Sequence, residues 1–83
     1  MLTPEQVQAM IGEVINAEMI QVEGDGHHFF AAIVSADFEG KPRLARHRLI
    51  KDGLTDRLAS NELHALSISV AATTAEWAAK NGQ

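Results

Sequence analysis

The sequence predicts a single α+β domain, a three-stranded mixed sheet with helices on one face, in the order α-β-β-α-(α)-β-α. Three observations carry that prediction. Two apolar runs flank Gly24-Asp25-Gly26 and read as a β-hairpin. A helical stripe of apolar side chains follows them. A third run, Leu66 to Val70, alternates with serines and arrives after that crossover, so it can lie parallel to a hairpin strand. The 83 residues form one domain, 1–83, with no internal repeat and no linker.

Thr3-Pro4-Glu5-Gln6 starts the first helix. Thr3 caps it, Pro4 suits the first helical position, and Gln6 completes a capping box. Val7, Met10, Ile11, Val14 and Ile15 then form one apolar stripe, and the helix is expected to end near Asn16 to Glu18. Met19 to Glu23 reads as a strand with Ile20 and Val22 on one side. The second strand is expected over His28 to Ala36. Its apolar groups fall on both faces, which suits a central strand. Phe38-Glu39-Gly40-Lys41-Pro42 turns the chain into the middle helix, where Leu44, His47, Ile50, Leu54 and Leu58 share a face and Gly53 is expected to interrupt. Leu66, Ile68 and Val70 alternate with Ser67 and Ser69 in the third strand. Thr73 or Thr74 caps a last helix anchored by Trp77, with Glu76 near its start and Gly82 after its end.

Composition narrows function. Without cysteine there is no disulfide framework, no thiol nucleophile and no self-sufficient iron–sulfur site. Gly24-Asp25-Gly26 has neither the spacing nor the lysine of a phosphate-binding loop, and no Gly-x-Ser-x-Gly elbow is present, so nothing here builds an enzyme. The longest wholly apolar run, Phe29 to Val34, is too short to span a bilayer. The start MLTPEQ lacks the pattern of a signal peptide, so a cytoplasmic domain is expected.

Charge is uneven. Residues 1–40 carry seven acids and no Lys or Arg; residues 41–83 carry seven bases and four acids, which gives the net −4. Five bases, Lys41, Arg43, Arg46, Arg48 and Lys51, lie in one segment. Such a patch can dock an anion, an acidic partner or a phosphate backbone; the plainer alternative is a solvated helix face.

Four histidines complete the inventory. His27 and His28 sit at the turn into strand two, and neighbours in a strand point to opposite faces, so only one of them shares a site easily. His47, on the apolar stripe, reads as structural. His64 stands just before strand three, on the side of Leu66 and Ile68, where a partly exposed imidazole can reach a metal. None of these spacings is a metal motif by itself.

Phe38-Glu39-Gly40-Lys41-Pro42, Arg46-His47-Arg48-Leu49-Ile50, Leu63-His64-Ala65-Leu66-Ser67-Ile68 and Thr74-x-Glu76-Trp77 together resemble the BolA family, over about residues 4 to 78. The short N-terminus and the Gly-Asp-Gly turn look like its IbaG-type bacterial branch, while the Phe38-Glu39-Gly40-Lys41-Pro42 and Arg46-His47-Arg48-Leu49 stretch also looks like the branch found in the eukaryotic cytosol. The resemblance implies a fold similar to the type II KH arrangement, but the Gly-x-x-Gly loop with which KH domains clamp single strands is missing. It further implies a non-enzymatic accessory role beside a monothiol glutaredoxin with a CGFS site, in a heterodimer sharing a [2Fe–2S] cluster. In that picture the glutaredoxin supplies its cysteine and a bound glutathione thiolate, while this chain supplies His64 and either His27 or His28. No cofactor is expected in the isolated chain, which could pair with itself. A second role associated with the family, DNA-binding regulation, would use the basic segment.

Overall fold

A computed structural model describes residues 2–81. Helix α1 (Pro4–Val14) precedes strands β1 (Met19–Gly24) and β2 (Phe29–Val34). A single 3₁₀ turn (Ala36–Phe38) leads to α2 (Arg43–Gly53) and the short α3 (Ser60–His64), then to β3 (Leu66–Ala72) and α4 (Thr74–Asn81). The sheet order is β1-β2-β3, with β2 central as expected. β1 and β2 run antiparallel, and β2 and β3 run parallel.

One face of this mixed sheet is covered. Val22, Phe29, Ala31, Ile33, Leu66 and Ile68 pack under Val7 and Ile11 of α1 and Ile50 of α2, with Ile15, Phe38, Leu54 and Leu58 closing the core. The other face shows Gln21, Glu23, Phe30 and Ser67 to solvent. Of the described residues no helix is long and apolar enough to cross a membrane.

Several boundaries differ from the sequence expectation for physical reasons. α1 has its expected capping box between Thr3 and Gln6, but it stops at Val14. The chain must leave the helix layer there: the Asn16 carbonyl accepts from Ser35 Oγ at 2.7 Å, and the Glu18 N–H donates to Val34 at 2.8 Å. β2 begins one residue later than expected, at Phe29, because the Asp25 carboxylate accepts from the N–H groups of His27 (2.8 Å) and His28 (2.9 Å). Those donors close the turn instead of extending the ladder. At its far end β2 yields to the 3₁₀ turn, which Ser35 caps by accepting from the Asp37 N–H.

Leu44 is not part of the buried stripe; it is 63% exposed. The centre of the buried face is set by Ile50 and Leu54, and at 100° per residue Leu44 stands roughly a quarter-turn or more away from it. Gly53 ends α2 rather than interrupting a longer helix, so Leu54 and Leu58 enter the core from turns; Gly53 also allows two helices to approach. A Cβ there would lie 2.3 Å from Val14 Cγ1 of α1.

β3 departs from simple alternation. Ala31 pairs with Ile68 but Ala32 pairs with Val70, so Ser69 is an inserted bulge residue. Its hydroxyl donates to the Ala31 carbonyl at 3.1 Å. Past the bulge the faces exchange: Ala71, not Val70, packs against the core. In α4, Thr73 and Glu76 form a reciprocal cap, with the Glu76 N–H on Thr73 Oγ1 and the Thr73 N–H on Glu76 Oε1. Gly82 lies outside the described residues.

Candidate functional site

The turn between β1 and β2 is built to hold one shape. Gly26 has φ +94°, which favours glycine, and a Cβ on Gly24 would strike the His28 carbonyl at 2.3 Å. With Asp25 accepting both following amides, the backbone of His27 and His28 is fixed while both side chains face solvent. Those two hydrogen bonds also hold the Asp25 carboxyl below its usual range, the His28 amide more strongly than the His27 amide.

His64 is not on the strand. It is the last residue of α3, and Ala65 caps that helix before β3 starts. The period-two expectation that put it beside Leu66 and Ile68 therefore fails, although the expected exposure is present. Its segment meets the turn directly: the Phe29 N–H donates to the Ala65 carbonyl at 2.9 Å, and Phe29 pairs with Leu66. The residues just before β2 and just before β3 thus lie side by side at one end of the sheet. His27, together with Gly26 and Phe29, lines an open groove of about 340 Å³ against Asn61, Glu62 and Ala65; neither His28 nor His64 lines it. Among the described residues no three His, Cys, Asp or Glu side chains group closely enough to hold a metal ion.

The basic segment divides. Arg46 is directed inward, its side chain only 12% exposed. Its guanidinium donates to the carbonyls of Lys41 and Ala71, each at 2.8 Å, grips both Glu76 oxygens at 2.6 and 3.1 Å, and stands 5.8 Å from the centre of the Phe38 ring. Lys51 donates to the Leu63 carbonyl at 2.8 Å and to the Leu66 carbonyl. Burial lowers its pKa from the ordinary lysine value. The expectation of five free cations is corrected accordingly: Arg46 and Lys51 are engaged inside the fold, and Lys41, Arg43 and Arg48 remain exposed. Sequence reasoning missed both roles because the partners lie far along the chain; Glu76, three residues after a helix-capping threonine, was the one visible hint.

His47 is half-buried on α2. Burial foremost, then the positive charges of Arg43 and Lys51, lowers its pKa and favours the neutral ring. With Lys41, Arg43, Ser69 and Lys80 it borders a second groove, of about 390 Å³, which shares no residue with the first.

A family model described as BolA-like protein matches residues 6–76. The chain belongs to the BolA family. It is 40% identical to Protein BOLA2 of Arabidopsis thaliana, over 93% of this chain and 85% of that protein. It is also 40% identical to the DNA-binding transcriptional regulator BolA of Vibrio cholerae, over 93% of this chain and 73% of the other. A solved BolA homologue from Coxiella burnetii superposes with a TM-score of 0.79 at 36% identity, covering 93% and 97% of the two BolA-like chains.

Proposed function

We propose that this BolA-like chain is a cytoplasmic, non-enzymatic accessory protein. It pairs with a monothiol CGFS glutaredoxin and shares a [2Fe–2S] cluster with it, in cluster trafficking or in iron and redox sensing. The observation that carries this reading is the junction of Phe29 with Ala65, which sets exposed histidines from two distant segments at one end of the sheet. Imidazole is a competent ligand for one iron of such a cluster. The chain has no cysteine, so thiolates would come from the glutaredoxin and its glutathione. His64 is the assigned ligand. We take His27 as the second, since of the two turn histidines it is the one that borders α3. Histidine ligation removes negative charge from the cluster, and each ring must be neutral to bind, which suits a cluster that is released easily.

The test combines the purified chain with a CGFS glutaredoxin, glutathione, iron and a sulfide source, and records visible circular dichroism. His64→Ala is expected to abolish the wild-type bands, His27→Ala to alter them and His28→Ala to leave them. A His64→Ala spectrum identical to wild type removes the ligand assignment.

The second reading, DNA binding, draws on the name of the Vibrio relative and on the exposed Lys41, Arg43 and Arg48. Three phosphate contacts would give a log–log salt slope of about −3. Undetectable binding at low salt removes that reading.

A further inference from the structure

We propose that Lys51 is a positioning residue for His64: its ammonium pins the α3–β3 junction through the carbonyls of Leu63 and Leu66 and so fixes where the imidazole is presented. The inference deepens, and rests on, the reading of His64 as a cluster ligand.

α3 has five residues, too few to persist through its own hydrogen bonds. Its C-terminal end must be held from outside, and three carbonyls show how. Lys51 takes those of Leu63 and Leu66, which bracket His64-Ala65, and the Phe29 N–H takes that of Ala65 between them. The lysine is itself well anchored. It stands in the last turn of α2, beside the fully buried Ile50 and three residues before the fully buried Leu54. The core of the domain is thereby linked to the exposed ring through one side chain and two hydrogen bonds. A ligand held on a rigid backbone loses less conformational freedom when it meets metal. Lys80, exposed on α4, carries the same charge and lacks those contacts, so it separates positioning from general charge.

Two measurements test this on Lys51→Met, with Lys51→Arg and Lys80→Met beside it. Met fills the space of the lysine stem but donates nothing. In the isolated chain, amide exchange of Ala65 and Leu66 is expected to quicken about tenfold in Lys51→Met relative to α1 amides. In the cluster-bearing complex with a CGFS glutaredoxin, cluster loss to a chelator is expected to be about tenfold faster. Lys51→Arg is expected to restore both, and Lys80→Met to change neither. Wild-type exchange or wild-type cluster retention in Lys51→Met overturns the proposal, as does a Lys80→Met effect of equal size. If Lys51→Met does not fold, Lys51→Gln, which keeps an amide donor without the charge, is read by the same two measurements. His64→Ala is the arm that separates the two failures. An unchanged His64→Ala spectrum sinks the ligand reading, and the positioning role with it. A changed His64→Ala spectrum with wild-type behaviour in Lys51→Met sinks only the positioning role.

Discussion

The two ends of the sheet use polar residues in opposite ways. Where β2 and β3 begin, the backbone is fastened and the histidine side chains are left to solvent. Where β3 gives way to α4, the charged side chains are themselves the fasteners: Arg46 and Glu76 clamp α2 to α4. The difference teaches that charge in a sequence does not measure availability. Arg46 looks like a docking cation and serves as a brace, whereas His64 follows a fastened backbone and stays exposed.

The comparison breaks most visibly at the brace. Arg46→Met removes hydrogen bonds to the Lys41 and Ala71 carbonyls as well as the pair with Glu76. The pair itself is worth little, because Glu76 is 52% exposed. The two carbonyl bonds from a charged donor dominate, and the loss is expected to be about 2 kcal/mol. Thermal unfolding should register it as a fall of roughly 10 °C in Tm. A variant within a degree or two of wild type would show that Arg46 is not a brace.

A smaller effect appears on the acid side. Arg46 foremost, then the Thr73 N–H, holds the Glu76 carboxyl at about 2, below its ordinary 4.5. A carboxyl with a depressed folded pKa stabilises the fold fully above its unfolded value and loses that contribution as pH falls through its folded one. Wild-type Tm should therefore fall more steeply than that of Glu76→Gln between pH 4.5 and 2, the two curves converging at the acid end. Parallel curves would place the acid sensitivity elsewhere.

The smallest stability effect belongs to the histidine end. His27→Ala and His64→Ala remove exposed rings, so each should shift stability by no more than about 0.5 kcal/mol, read by urea denaturation. A larger loss would mean that these rings hold the fold together and would erase the contrast between the two ends.

Much of the architecture was legible because it is local. Thr3-Pro4-Glu5-Gln6 declares a helix start, Gly24-Asp25-Gly26 declares a turn, and the Ser–apolar alternation after Leu66 declares a strand. The features that escaped depend on distant partners. Nothing near Ser69 announces the bulge, which leans on Ala31; nothing near Lys51 announces Leu63 and Leu66. His64 was found as an exposed group, but its neighbours in sequence could not say whether it ended a helix or began a strand. Leu44 fell at the rim of a stripe whose centre only the packing of Ile50 and Leu54 defines.

The parallel pairing of β2 with β3 has a consequence for how the domain comes into being. The first hairpin can close with short-range contacts alone, but the bond from Phe29 to Ala65 waits until the whole helical crossover has been laid down. Long loops close late because their entropy must be lost before any contact repays it. A nascent or truncated chain therefore displays His27 and His28 before the α3–β3 junction reaches them, and the two histidine-bearing segments meet only in a chain that has finished folding.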